Sequence, residues 1–139
     1  MDEVYQCNTE EETCRIAAQL AEDLKCGDIV LLKGTLGAGK TVFARALIRA
    51  LCGNKELNVP SPTFTLLQTY DYAYGEIWHF DLYRLKDPEE IYELGWEDFS
   101  GKDIALFEWP SRLEHLEPEK AITVRMEIEG PTRHIHISD

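Results

Sequence analysis

Positive charge is scarce in this chain. Its 139 residues carry 14 Lys and Arg against 26 Asp and Glu, a net charge of −12. A surface that grips nucleic acid shows a basic stripe or patch, and the sequence contains neither. Any action on nucleic acid therefore has to pass through a more basic partner. Long apolar stretches are missing as well: no run approaches the roughly 20 residues needed to cross a bilayer, so no membrane role is expected. The four cysteines, Cys7, Cys14, Cys26 and Cys52, form no Cys-x-x-Cys pair and no metal-ligand spacing. That argues against a zinc site or a disulfide framework. Met1-Asp2-Glu3-Val4 lacks the basic and apolar regions of a secretion signal, and the expected location is the cytoplasm. Neither internal repeats nor low-complexity linkers occur, and the length and the 44% apolar content suit a single domain over residues 1–139.

Against this background one stretch stands out, Val30-Leu31-Leu32-Lys33-Gly34-Thr35-Leu36-Gly37-Ala38-Gly39-Lys40-Thr41. Gly34, Gly39, Lys40 and Thr41 fit the P-loop pattern G-x-x-x-x-G-K-[ST], in which backbone N–H groups cradle nucleotide phosphates. Glycine tolerates the dihedrals that turn those N–H groups inward. Lys40 is placed to reach the β- and γ-phosphates and the Thr41 hydroxyl to ligate Mg²⁺. The flanks agree: Ile29 to Leu32 is an apolar run of strand length, and Val42 to Leu51 has apolar residues at helical spacing. The helix that follows adds its positive N-terminal end to the same anion.

Around this core the pattern predicts an amphipathic helix over 8–26, capped by Asn8 or Thr9 and ended near Gly27. Residues 54–63 are a polar connection closing on Val59-Pro60-Ser61-Pro62-Thr63. Phe64 to Tyr70 and Glu76 to Phe80 read as an antiparallel hairpin across Tyr72-Ala73-Tyr74-Gly75. Asp87-Pro88-Glu89-Glu90 opens a short helix that stops before Gly95. Ile104 to Phe107 is a second fully apolar strand, and a brief helix runs from Ser111 to about Leu116. Two last strands, about 121–128 and 132–137, pair across Gly130-Pro131. His134 and His136 alternate with Ile135 and Ile137, which assigns the histidines to the solvent face.

P-loop enzymes need an acid from a neighbouring strand end to hold Mg²⁺ and its waters. Glu108 follows Ile104-Ala105-Leu106-Phe107 in the form of a Walker B element, and Asp81 ends Ile77-Trp78-His79-Phe80. Ser61-Pro62-Thr63 lies where a switch segment senses the γ-phosphate in many P-loop proteins. His79, Tyr83 and Arg84 are expected as a polar cluster around Asp81, with Arg84 serving phosphate, a partner or only the surface. Trp109 either packs beneath the nucleotide or shapes the site. Asn54-Lys55-Glu56-Leu57 lacks the aspartate of a guanine-reading Asn-Lys-x-Asp element, which favours ATP over GTP.

Taken together, Glu11-Glu12-Thr13, Leu36 to Thr41, Ser61-Pro62-Thr63-Phe64, His79-Phe80-Asp81-Leu82-Tyr83-Arg84 and Glu108-Trp109-Pro110 resemble the TsaE (formerly YjeE) family, nearly end to end. The resemblance implies a three-layer α/β P-loop NTPase-like domain with a mixed sheet and a C-terminal antiparallel hairpin. It implies an ATPase, weak alone, that resets a TsaB–TsaD complex between turnovers of tRNA threonylcarbamoyladenosine formation, touching tRNA only through that complex. ATP and Mg²⁺ are the expected cofactors. The nucleotide-binding set is then Gly34, Leu36, Gly37, Ala38, Gly39, Lys40, Thr41 and Val42, with Ser61, Thr63 and Trp109; the metal set is Thr41, Glu108 and Asp81; and Lys40, Asp81 and Glu108 are the catalytic set. Thr35 stands where the family usually has an acid. Two other functions remain open from sequence, a small-molecule kinase and a non-catalytic nucleotide-sensing module.

Overall fold

The computed structural model describes residues 2–35 and 37–139. Among the described residues, seven strands form one sheet: β1 (Asp2–Cys7), β2 (Ile29–Gly34), β3 (Leu67–Asp71), β4 (Glu76–Asp81), β5 (Ile104–Glu108), β6 (Ile122–Glu129) and β7 (Thr132–Ser138), in the order β1-β7-β6-β2-β5-β4-β3. The central strands β6, β2, β5 and β4 run parallel, while β3, β7 and β1 add antiparallel edges. The sheet is mixed, and β6–β7 is the expected C-terminal hairpin.

Strand alternation divides the interior into two cores. Val30, Leu32, Ile77, Ile104 and Leu106 face the helices α1 (Glu10–Asp23) and α2 (Lys40–Cys52), meeting Ala17, Leu20, Phe43, Leu47 and Ile48. Leu31, Trp78, Phe80, Ala105 and Phe107 face the other way, against Leu85, Ile91 and Leu113. That second face is covered by 3₁₀ turns, Pro88–Tyr92, Trp96–Asp98 and Pro110–Leu116. The result is a three-layer α/β arrangement whose third layer is thin. Aromatic stacking thickens it: Phe80 and Phe107 lie parallel with centroids 4.5 Å apart, and the Trp96 ring meets both edge-on.

Local chemistry explains most element ends. The Thr9 Oγ1 accepts from the Glu12 N–H at 3.1 Å, and Glu10, Glu11 and Glu12 occupy the positive first turn of α1. Gly53, with φ 63°, closes α2. Four expectations change. Asp2–Cys7, not expected as a strand, pairs with β7; its acids point outward and only Cys7 is buried. The strand expected from Phe64 starts at Leu67, because the Leu66 N–H bonds back to the Pro62 carbonyl at 2.7 Å and Leu66 adopts φ 68°. The helix expected after Asp87 has its full capping box but makes only a 3₁₀ turn before Gly95, φ 92°. The segment before Pro118 is also 3₁₀, kinked at Glu114.

Candidate functional site

The carboxyl ends of β2, β4 and β5 sit side by side, and each delivers one part of a single site. Register sets the acids: Asp81 pairs with Glu108 across the parallel β4–β5 ladder, and Glu108 pairs with Leu32 two residues before β2 ends. Side chains two apart share a face, so Asp81 and Glu108 join Ile77, His79, Ile104 and Leu106 on the side of α2. That is the face onto which β2 empties its glycine loop. Such a crevice outside the carboxyl ends of parallel strands is where open α/β sheets bind ligands.

The glycines have separable tasks. Gly37 and Gly39 take φ 81° and 98°, which turn the chain into the first turn of α2 at a conformation other residues avoid. Gly34, φ 151°, is demanded by packing: a Cβ there would stand 2.3 Å from the Met126 carbonyl oxygen on β6. Ala38 is buried against the core. Lys40 folds back over the loop, its Nζ donating to the Gly34 and Thr35 carbonyls at 2.6 and 3.0 Å. An ammonium has three N–H donors, so one remains beyond the two carbonyls. Burial lowers the Lys40 pKa, while the Glu108 and Asp81 charges pull it back up. Leu36, expected in the cradle, lies outside the described residues.

Two oxygens converge in front of α2. The Thr41 Oγ1 donates to Glu108 Oε1 at 3.1 Å, joining the loop's hydroxyl to the strand-end acid. Glu108 is only 2% exposed, and its Oε2 lies 2.7 Å from Nε2 of His79, itself fully buried. Asp81 accepts from the Tyr83 N–H at 3.1 Å through Oδ1 and from Thr63 Oγ1 at 3.5 Å through Oδ2. Burial raises the Asp81 pKa and the nearby Glu108 adds to the rise, against the hydrogen bond from Tyr83. Ser61 and Thr63 hydroxyls touch at 2.9 Å, so the expected switch segment is wired to Asp81.

Aromatic rings floor one side. The Lys40 ammonium lies 3.8 Å over the Trp109 ring, whose centroid is 5.0 Å from that of Tyr83; the Arg112 guanidinium covers Tyr83 at 5.6 Å. Trp109 reaches this position from a left-handed backbone, φ 59°, at the start of the last 3₁₀ turn. It lines the cavity. Arg84 also lines the cavity, and its guanidinium sits 4.7 Å over the exposed Phe64 ring.

The cavity these groups enclose measures about 610 Å³ and brings together Gly37, Gly39, Lys40, Thr41, Val42, Ser61, Thr63, Asp81, Glu108 and Trp109. One expected grouping changes: His79 is sealed behind Glu108 and bonds to it, leaving Tyr83 and Arg84 beside Asp81. The far wall was not anticipated. Asn8, Thr9, Glu10, Thr13, Pro131 and Arg133 complete it, because β1–β7 pairing sets Cys7 opposite Arg133 and Thr132 Oγ1 bonds Asn8 Oδ1 at 2.8 Å. Thr9 and Glu10 signalled only a helix cap, and no local pattern joins residues so far apart in the chain. Hard oxygen donors at Thr41, Glu108 and Asp81 fit Mg²⁺, and the left-handed glycines with Lys40 fit a phosphate chain.

Comparison with known proteins identifies the family. A family model, "Threonylcarbamoyl adenosine biosynthesis protein TsaE", matches residues 7–135. The TsaE protein of Rickettsia felis is 51% identical over 121 residues, covering 87% of this chain and 70% of its own. That of Aquifex aeolicus is 38% identical over 121 residues, 87% of this chain and 82% of its own. Bacillus subtilis TsaE is 36% identical over 115 residues, 82% and 70% of the two chains. The crystal structure of Bacillus subtilis YdiB superposes with a TM-score of 0.77 at 27% identity, covering 99% of this chain and 84% of that one. A match over nearly the whole domain, at relatives from three distant genera, settles the assignment: the chain belongs to the TsaE family of tRNA threonylcarbamoyladenosine biosynthesis.

Proposed function

We propose that this protein is a Mg²⁺-dependent ATP-binding and ATP-hydrolysing subunit, weak alone, that resets a cytoplasmic TsaB–TsaD complex between turnovers of tRNA modification. The observation that carries the ATPase reading is the Thr41–Glu108 hydrogen bond at 3.1 Å in the first turn of α2. It joins the phosphate loop to the strand-end acid at the point where a nucleotide-bound cation belongs.

Each residue then has a distinct task. The Gly37–Lys40 backbone and the Lys40 ammonium hold the phosphate chain, and Lys40 exchanges its carbonyl partners for phosphate oxygens. Thr41, Glu108 and Asp81 would hold Mg²⁺, which when bound neutralises charge building up on the phosphate oxygens. Asp81, beside Glu108 at the end of β4, is suited to orient an attacking water and accept its proton. Thr63 and Ser61 tie Asp81 to the exposed Phe64 segment, which gives the nucleotide state a path to a partner surface. Catalysis rests on position and charge, with no covalent intermediate. The net charge of −12 fits a subunit that leaves tRNA to its partners.

The test is release of free phosphate from Mg·ATP by the protein alone and with the TsaB–TsaD pair, with Lys40→Ala as control. Stimulation by the pair, reduced at least about 100-fold in the variant, is the expected outcome. Equal and negligible release in every condition would reject the ATPase reading, and phosphate transferred to an acceptor would replace it with a kinase. Binding of tRNA by the isolated protein at about 0.15 M salt would contradict the indirect contact.

A further inference from the structure

The buried partner of Glu108 has no place in the chemistry just described. His79 is fully buried and does not line the cavity, yet its Nε2 stands 2.7 Å from Glu108 Oε2. The other carboxylate oxygen, Oε1, faces the Thr41 hydroxyl at 3.1 Å. The two oxygens are thus split between an internal anchor and the site. Strand register produces the split: His79 pairs with Leu106, one same-face position behind Glu108 on the adjacent strand, so its ring reaches Glu108 diagonally.

Resting on the nucleotide-and-metal reading above, we propose that His79 is a positioning residue. It fixes the rotation of the Glu108 carboxylate so that Oε1 alone is presented to Thr41 and the cation. A glutamate has free torsions up to its carboxylate, whose terminal rotation is broad. Without an anchor on Oε2 the group can turn about that bond or swing toward the Lys40 ammonium. A donor from a rigid ring on the neighbouring strand removes that freedom, as outer partners of metal-binding side chains do. A plain core histidine would be satisfied by any acceptor. Among the described residues the ring's Nδ1 has no hydrogen-bond partner, so the Glu108 contact is the ring's polar anchor.

Three variants separate positioning from packing. His79→Gln keeps an N–H donor near the Nε2 position, His79→Leu removes the donor at similar bulk, and His79→Asn carries its donor too short to reach. Affinity for a fluorescent ADP analogue is measured with and without Mg²⁺ for each variant, alongside the thermal midpoint. The expected result is a loss of about tenfold or more in the Mg²⁺-dependent gain in affinity for His79→Leu and His79→Asn, with metal-free affinity unchanged and most of the gain restored in His79→Gln. Folded Leu and Asn variants that keep the full Mg²⁺ effect would overturn the proposal, as would a folded Gln variant no better than Asn. If Leu fails to fold, the Gln–Asn comparison decides. Wild-type protein that binds the analogue without any Mg²⁺ effect would instead refute the metal reading on which the proposal stands.

Discussion

Replacing Gly34 by alanine tests whether the first glycine of the loop pattern is there for phosphate or for the sheet. Gly34 ends β2 in register with Met126 on β6, at φ 151°. An added Cβ would lie 2.3 Å from the Met126 carbonyl oxygen and 3.2 Å from its carbon, where real Cβ atoms stay beyond 3.0 Å. Both atoms are backbone at the last pair of the parallel β2–β6 ladder, so the strand ends themselves must part. Backbone strain at such a dihedral costs about 1–3 kcal/mol, and forced overpacking a similar amount. A total near 3–4 kcal/mol corresponds to a drop of about 10 °C in melting temperature for a domain of this size. Gly37→Ala is the control: its φ of 81° carries strain, but its nearest neighbour is Ile128 Cδ1 at 3.9 Å, so about 1–2 kcal/mol is expected. Urea and thermal unfolding by circular dichroism measure both. If Gly34→Ala unfolds within about 1 kcal/mol of wild type, the β2–β6 contact does not govern this position and the reasoning is refuted.

Asp81→Asn should stabilise the protein at neutral pH while reducing phosphate release about 100-fold, because it removes a buried charge beside Glu108 together with the proposed proton acceptor. The folded-state pKa of Asp81 is raised, so wild type gains stability as pH falls through that pKa, and the variant's advantage should shrink there; an advantage that grows toward acid would contradict the assignment. Asp103→Asn at the opposite sheet edge should cost about 2 kcal/mol without changing nucleotide affinity, since Asp103 accepts from the Glu76 N–H at 2.9 Å and from the Ser100 N–H and hydroxyl at 3.0 and 3.1 Å. Burial alone would raise its pKa, but those bonds hold it below the ordinary value. Its contribution is therefore present above the unfolded pKa and lost as pH falls through the folded one, which unfolding curves taken from neutral to acid pH will show.

The loop, its strand and helix, and the acids Glu108 and Asp81 were legible because each is a local pattern: an apolar run, a glycine spacing, an acid at a strand end. The hairpins at β3–β4 and β6–β7 were legible for the same reason, their turns being written in Gly75 and in Gly130-Pro131. β1 was not, since an acidic edge strand exposed along most of its length lacks the apolar alternation that reports burial. The cavity wall at Asn8, Thr13 and Arg133 followed it out of view, because only β1–β7 pairing brings the two ends of the chain together. The 3₁₀ turn at Pro88–Tyr92 replaced a short helix whose capping was right but whose run Gly95 cut.

His79 shows why a motif can name the right residues and still misplace one. In sequence it lies two positions from Asp81, which suggests a shared cluster. On a strand, two positions apart means the same face but a different depth, so His79 sits one step further from the edge, beneath the site. The register between β4 and β5 then hands it to Glu108 on the neighbouring strand, a residue 29 positions away. The two acids that must share the site are thereby kept distinct. Asp81 is held by a backbone N–H and a hydroxyl of the Ser61–Phe64 segment, whose Phe64 is exposed, and Glu108 by a buried ring. A pair of neighbouring carboxylates with one fixed and one coupled to a surface loop suits a site in which one acid keeps the cation and the other reports the state of the nucleotide.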